Sequence, residues 1–419
     1  MSKQLNYLDL FAGAGGLSEG FVRAGFNPIA HVEMDAAACF TLRTRMAYHW
    51  LRRQGQEEQY AAYLEGRMSR SELYDWVPEE LIQSVINTEI AEVTLTKIFC
   101  HIDKLLSGRR LDLIIGGPPC QAYSVIGRAR AQNRMKGDKR NTLYLFYAKF
   151  LEKYEPTYFV FENVPGLRSA KDEQGNLYFS LMRELFHQAG YQTEFDTLSA
   201  NDYGVPQSRK RVILVGRKGT SSGFYPEPDM CPPDVLVKEI LSDLPPIKAG
   251  EGDARPCEMR FCESSWLYET GIRNDKLPVT LHQARYNNER DLEIYRRAVT
   301  LWETDRVRLK YTDLPDKLKT HRNRETFVNR FKVVAGDLPF SHTVVAHIAM
   351  DGHYYIHPDI EQNRSLTPRE AARLQTFPDD YYFESESGKP YRTPAFRQIG
   401  NAVPVILAQK IAETLKENW

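Results

Sequence analysis

Apolar residues recur along this chain in two periods, and the way the periods alternate sets the expected architecture. Tyr7 to Phe11 and Ile29 to Val32 are apolar runs of strand length. Each is followed by apolar positions at three-and-four spacing: Leu17, Phe21 and Val22 after the first, Phe40, Leu42 and Met46 after the second. That succession reads as a βαβ unit. Further strands are predicted at Leu111 to Ile115, Tyr158 to Phe161 and Val212 to Val215, with helical spacing over Leu143 to Tyr154 and Leu177 to Ala189 between them. Strands separated by helices imply a mostly parallel sheet with helices on both faces. From about Thr41 to Ile98 the spacing predicts a helical insertion, with Pro78 in a first-turn position ahead of Leu81, Ile82, Val85 and Ile86. No residue in it points to chemistry.

The alternation stops after Gly216. A loop-rich tract from Phe224 to Pro233 opens a region dense in basic and aromatic residues that runs to about Gln362. Thr367-Pro368-Arg369-Glu370 then supplies an N-cap, a first-turn proline and a capping-box glutamate for a helix through Ala371, Ala372 and Leu374. Gly400 to Pro404 turns into a terminal helix carrying Val405, Ile406, Ala408 and Ile411. The expected division is a catalytic α/β domain over 1–216 with its insertion at 41–98, a smaller domain over 217–362, and a segment over 363–419 that returns to the first.

Composition narrows the classes. The chain has 419 residues, 42% of them hydrophobic, enough for a sizeable core. No run approaches the roughly 18 apolar residues of a membrane span, and Met-Ser-Lys-Gln-Leu-Asn is no secretory start, so a cytoplasmic protein with no membrane partner is expected. Six scattered cysteines form neither a disulfide framework nor a zinc ribbon. The histidines show no H-E-x-x-H pattern, so no metal is expected. Basic and acidic residues balance at 55 each, so a nucleic-acid surface would have to come from local clustering.

Candidate chemistry gathers where the strands end. Gly13, Gly15 and Gly16 follow the first strand, although Ser18 occupies the third place of a G-x-G-x-x-G turn. Glu33 ends the second strand, where a carboxylate either meets a ribose diol or is simply solvated. Gly116-Gly117-Pro118-Pro119-Cys120-Gln121 follows the third, putting Cys120 beyond a stiff turn as a nucleophile or as an ordinary buried thiol. Glu162 and Asn163 close the next. Open α/β sheets bind ligands outside their strand carboxyl ends, so these residues should converge, with Glu162 a candidate general acid. Arg128, Arg130, Arg134, Lys136, Lys139 and Arg140 make a cationic loop in which Asp138 is the only acid. Beside a nucleophile, such a loop suits a phosphate backbone. Period two puts Gln207, Arg209 and Arg211 on one face, suited to an anion or a base edge.

With these residues in place the chain resembles a DNA (cytosine-5) methyltransferase over nearly its whole length. Asp9-Leu-Phe11-Ala12-Gly13-Ala-Gly-Gly16 is similar to the family's first motif, Pro118-Pro119-Cys120-Gln121 to its nucleophile motif and Glu162-Asn163-Val164 to its acid motif. Gln207-x-Arg209-x-Arg211, Arg364-Ser-Leu-Thr367-Pro-Arg-Glu370-Ala-Ala-Arg373-Leu-Gln and Gly400-Asn401-Ala402-Val403-Pro404 resemble three more, all in the family's order. The resemblance implies a Rossmann-like methyltransferase fold that uses S-adenosyl-L-methionine, with a smaller target-recognition domain. It implies a cofactor pocket lined by Phe11, Ala12, Gly13, Gly16, Glu33, Met34, Ile102, Pro119, Leu143 and Asn401. It also implies a Cys120 thiolate that adds at C6 of a flipped-out cytosine, Glu162 at N3, and Arg209 and Arg211 holding the base. Gln121, Ser124, Arg128, Arg130 and Gln207 would meet double-stranded DNA. Arg322, Arg324, Arg330 and Lys332 are candidates for base or phosphate contacts.

The implied setting is a monomer acting beside restriction or phage-defence proteins. The sequence departs from the family where an Asp usually meets the adenine amino group: it reads Cys100-His101-Ile102-Asp103, leaving His101 or Asp103 for that contact, or His101 as a packing residue. RNA as substrate is an alternative reading, as is a non-catalytic DNA-binding relative. A nicotinamide oxidoreductase fails on its glycine spacing.

Overall fold

A computed structural model describes residues 4–119, 142–321 and 327–419. Its main sheet contains β1 (Asn6–Leu10), β2 (Asn27–Glu33), β3 (Val85–Asn87), β4 (Leu113–Gly116), β5 (Tyr158–Asn163), β6 (Tyr191–Ser199) and β7 (Lys210–Lys218). The spatial order is β3-β2-β1-β4-β5-β7-β6. The first five pair in parallel, whereas β7 runs antiparallel to both β5 and β6. The mostly parallel α/β sheet expected from the sequence is therefore present, with one reversed strand inserted near an edge.

The helices are α1 (Gly16–Arg23), α2 (Ala36–Gln54), α3 (Glu57–Leu64), α4 (Arg70–Asp75), α5 (Glu79–Gln83), α6 (Glu92–Leu106), α7 (Leu143–Tyr154), α8 (Tyr178–Gln188), α9 (Val237–Leu241), α10 (Ser265–Glu269), α11 (Glu289–Asp305), α12 (Pro368–Leu374), α13 (Arg392–Asn401) and α14 (Val405–Glu417). Side chains alternate across β1, so Leu8 and Leu10 enter one cluster with Ile98, Tyr147 and Phe186 of α6, α7 and α8. Tyr7 enters another on the opposite face with Phe21 of α1 and Leu407 and Ile411 of α14. Both faces of the sheet are thus covered. A third cluster joins Tyr48, Tyr60 and Tyr63 to Val237, Leu281, Phe377 and Phe396. Ile294, Tyr295, Val299, Tyr311, Phe331 and Ile356 form a small core of their own.

Three details differ from the sequence reading. The stretch expected to be wholly helical contains β3, which pairs with β2 in register His31↔Val85 to Glu33↔Asn87. Leu81, Ile82, Val85 and Ile86, four apolar residues at helical spacing, concealed it. Second, β6 has no counterpart in the reading: Gln192, Thr193, Glu194 and Asp196 make it too polar to read as a buried strand. Third, α13 precedes the terminal helix. The capping box is formed as expected, with the Glu370 carboxylate accepting from Thr367 N at 2.7 Å and Thr367 Oγ1 accepting from Glu370 N at 3.3 Å.

The C-terminal segment is pinned by buried guanidiniums. Arg369 donates to the carbonyls of Thr280, Pro378 and Tyr381, and Arg373 binds Asp243 and Asp379. His31 and His357 are buried and His342 is half-buried. Burial lowers His31 and His357 from the ordinary 6.5 to about 4, and His342 to about 3. A base whose pKa falls on folding leaves the unfolded chain to take up protons first. Its stability is complete above about pH 6.5 and lost progressively toward pH 4. Thermal unfolding followed calorimetrically should therefore show Tm level above about pH 7 and falling below 6.5, with a shallower fall in His31→Gln. A Tm that rises on acidification would contradict this.

Candidate active site

The loop after β1 is shaped by close packing on one side and open space on the other. Gly15 has a φ of +79°, and a Cβ there would lie 2.7 Å from Leu42 and 2.9 Å from the Tyr381 hydroxyl. At Gly16 a Cβ would meet the Val403 carbonyl at 2.3 Å. Gly13, at φ +54°, has nothing within 4 Å of the same position. The turn is thus backed by protein at Gly15 and Gly16 and open at Gly13. Glu33 organises the open side: one carboxylate oxygen accepts from Gly13 N at 2.8 Å and the other from Met34 N and Asp35 N, both at 2.8 Å. Burial raises the Glu33 carboxyl, opposed by these three amide donors. Met34 beside it is 62% exposed and offers an apolar surface. The pocket candidates Phe11, Ala12, Gly13, Gly16, Glu33 and Met34 are therefore gathered at one strand edge.

At the neighbouring strand ends, Gly116 and Gly117 are required by close approach. A Cβ on Gly116 would lie 2.0 Å from the Leu10 carbonyl. One on Gly117 would meet the Glu162 carbonyl at 2.2 Å and the Glu162 carboxylate at 2.9 Å. Glu162 therefore lies directly over the backbone leading to Pro118 and Pro119. Asn163 Nδ2 donates to the Pro118 carbonyl at 3.1 Å and ties that turn to β5. Pro119 is partly exposed, as is Leu143 at the start of α7, while Asn401 is exposed at the end of α13. Cys120, Gln121, Ser124, Arg128 and Arg130 lie outside the described residues, as do Arg322 and Arg324.

The three polar residues around the start of β7 have different fates. In the β5/β7 register Glu162 faces Ile213, so Arg211, two residues earlier on the same face, is its diagonal neighbour. Arg211 Nε and Glu162 Oε1 are 2.5 Å apart, with side-chain exposures of 11% and 16%. Arg209 is elsewhere: its guanidinium donates to the carbonyls of Val344 at 2.7 Å and Gly400 at 3.1 Å. Gln207 Nε2 donates to the Leu374 carbonyl and the Gln375 side chain, and its Oε1 accepts from Val344 N at 2.8 Å. Both side chains are buried, 1% and 0% exposed. Their expected places on the base and on DNA are corrected: they form a joint between the sheet, the segment around Val344 and the C-terminal helices.

The segment expected to meet the adenine lies on α6. Ile102 is fully buried among α6, α7 and the sheet, so it cannot line a pocket. His101 lies on α6, and Asp103 is engaged with Lys153 at 2.9 Å and Tyr154 at 3.0 Å. The strand end next to Glu33 is that of β3, where Asn87 Nδ2 donates to the carbonyls of Glu33 and Met34, followed by exposed Glu89. The signal available in the sequence was Val85-Ile86-Asn87, a three-residue strand too short to stand out. Arg330 is likewise committed, to Asp351 and His347.

Among the described residues no group of three or more His, Cys, Asp or Glu could hold a metal ion, and no helix is long and apolar enough to cross a membrane. A glycine turn, a carboxylate at the second strand end and an acid paired with arginine at the fifth gather candidate chemistry at the strand ends of an α/β fold, where such enzymes keep their sites. The C-5 cytosine-specific DNA methylase family matches residues 5–57 and 80–417, and the chain belongs to that family. It is a DNA (cytosine-5) methyltransferase. It is 40% identical to type II methyltransferase M.Bpa9945I of Bacillus paralicheniformis over 98% of each chain. It is 29% identical to type II methyltransferase M.DdeI of Desulfomicrobium norvegicum, over 98% of this chain and 88% of that one. A prophage-encoded E. coli protein assigned as a DNA modification methyltransferase shares the fold, with a TM-score of 0.64 at 24% identity over 99% of both chains.

The two arginines should separate on substitution. Arg209→Ala is expected to cost roughly 2–5 kcal/mol of stability by leaving two buried carbonyls without donors. Arg211→Ala is expected to lower kcat by about 10²-fold with little change in Tm. Denaturant unfolding beside steady-state kinetics tests this, and equal loss of kcat at unchanged stability in both variants would contradict it.

Proposed function

We propose that this chain methylates C5 of a cytosine flipped out of double-stranded DNA, within a short recognition sequence, as the modification arm of a restriction or defence system. The reading is carried by the Glu162 carboxylate, held by Arg211 and seated over the Gly117 backbone three residues before Cys120. The type II methyltransferase names of the relatives support the restriction setting.

C5 of cytosine is a weak nucleophile, and attack by a thiolate at C6 makes it electron-rich. Cys120 supplies that thiolate. Glu162 acts as the general acid: its carboxyl proton is donated to N3, which takes up the negative charge that the sulfur–carbon bond pushes onto the ring. Arg211 keeps Glu162 oriented and reaches the polar edge of the same base. Loss of the C5 proton and elimination of the sulfur return Cys120. Because C5 and C6 are stacked inside a duplex, the base must leave the helix before any of this.

When bound, S-adenosyl-L-methionine would supply an electrophilic methyl group, its sulfonium sulfur leaving as the thioether of S-adenosylhomocysteine. The residues present fit it: Glu33 is placed for the ribose hydroxyls, Met34 for an adenine face, open Gly13 for the aminoacyl chain, and Asn401 and Leu143 for the remaining wall. Glu89, following β3, takes the adenine amino contact in place of His101. Arg128 and Arg130, with Gln121 and Ser124, are the residues proposed to bind DNA.

DNA carrying 5-fluorocytosine at the target tests the reading, since fluorine blocks removal of the C5 substituent. A denaturation-resistant protein–DNA adduct is expected with the wild-type chain and none with Cys120→Ala. An active enzyme that forms no adduct would overturn C6 attack. Glu162→Gln should keep DNA binding within about threefold and lower kcat by about 10²-fold or more.

A further inference from the structure

The helices between β2 and β3 carry no residue that the proposed chemistry uses, yet they bury an unusual amount of charge. Arg45 of α2 sits at its centre. Its Nε and Nη2 donate to the two carboxylate oxygens of Glu19 at 2.9 and 2.6 Å, and its Nη1 donates to Asp380 at 2.7 Å. The guanidinium lies over the rings of Tyr48 and Tyr381, 4.1 and 4.7 Å from their centroids. Burial alone would raise the Glu19 carboxyl, but Arg45 and His49 hold it well below its ordinary value. Asp380 also accepts from Tyr48 at 2.9 Å and Asn274 at 2.8 Å, and Tyr60 of α3 donates to its main-chain carbonyl at 2.8 Å.

Two links run from this cluster to the loop after β1. Glu19 lies in the first turn of α1, and its amide donates to the Gly15 carbonyl at 2.8 Å. Tyr381, stacked on Arg45, donates its hydroxyl to the Ala14 carbonyl at 2.5 Å. Leu42 of α2 and the Tyr381 hydroxyl are also the two groups that crowd Gly15. The loop whose open side faces Glu33 is thus gripped from behind by α2 and by the segment after α12.

We infer that Arg45 and Tyr381 are positioning residues for the cofactor loop, and that the helical segment between β2 and β3 serves as its clamp. A buried ion pair on its own is weak support for stability; what it can supply is a fixed arrangement of its neighbours. Here the use is to fix the carbonyl of Ala14 and the start of α1, so that Gly13 and Glu33 keep the spacing a nucleoside requires. Arg45 acts through Tyr381 and Glu19 and touches no substrate. The inference rests on reading the Gly13–Glu33 edge as the cofactor site.

Tyr381→Phe removes one hydroxyl and keeps the ring on Arg45. Tyr63→Phe is the control: Tyr63 lies in the same helical segment and its hydroxyl binds Glu384, away from the cofactor loop. Calorimetric titration with S-adenosylhomocysteine should show binding weakened about five- to tenfold in Tyr381→Phe, the worth of one buried hydrogen bond, and less than twofold in Tyr63→Phe. Steady-state KM for S-adenosylmethionine should rise by the same factor in Tyr381→Phe, with kcat at saturation and KM for DNA within about twofold. Arg45→Lys, which keeps the charge but loses the two-pronged contact, should loosen the cofactor further. Unchanged binding in Tyr381→Phe, or equal weakening in both tyrosine variants, would overturn the inference. Absence of binding by the wild-type chain would remove the cofactor reading itself, and the inference with it.

Discussion

The antiparallel register between β5 and β7 is the constraint on which the site depends. With Glu162 opposite Ile213, Arg211 falls on the diagonal of the same face and reaches Glu162 at 2.5 Å. A shift of one residue would send Arg211 to the other face of the sheet. The pair is largely shielded from water, so the attraction exceeds that of surface charges, and Glu162 has little freedom to swing away. One carboxylate oxygen is on Arg211, while the other lies over Gly117. The single reversed strand of an otherwise parallel sheet, absent from a simple βαβ pattern, is what delivers an arginine to the acid.

The same stretch of chain does a second task immediately upstream. Gln207 and Arg209 spend their polar atoms on the main chain of Val344, Leu374 and Gly400, binding the sheet to the segments that follow it. Buried donors used in this way leave few alternatives for their neighbours, because each carbonyl released would be left without a partner. Residues 207 to 211 therefore combine a joint and the arginine that pairs with Glu162 within five positions. Gly400 accepts from Arg209 and directly precedes Asn401 at the proposed cofactor wall. The proposed cofactor wall and the Glu162–Arg211 pair are tied to one piece of structure.

Much of this was legible in the sequence, and the failures have physical reasons. Strand ends were readable at Gly13, Glu33, Pro119 and Glu162 because fully buried parallel strands are apolar throughout and stop abruptly at polar residues. The capping box at Thr367 and Glu370 was readable because it is local. The strand β3 was missed because three residues between a helix and a turn show no period. Arg209 was misplaced because alternation gives the face of a side chain and not what covers it; Val344 and Gly400 are 135 and 191 residues away. Arg45 and Tyr381 gave no signal at all. Their meaning lies in a contact between residues 335 positions apart, Arg45 and Asp380, and in one hydroxyl reaching back to Ala14.

The central claim is that the edge built by Gly13, Glu33, Glu162 and Arg211 directs a methyl group to C5 of cytosine in DNA at a defined sequence. Expressing the full chain in a host free of cytosine methylation, and mapping modified bases across that host's genome, addresses this most directly. The account predicts 5-methylcytosine confined to one short sequence context and lost in Glu162→Gln. Methylation of adenine, of the exocyclic nitrogen of cytosine, or of no base in an expressed and folded chain would contradict it.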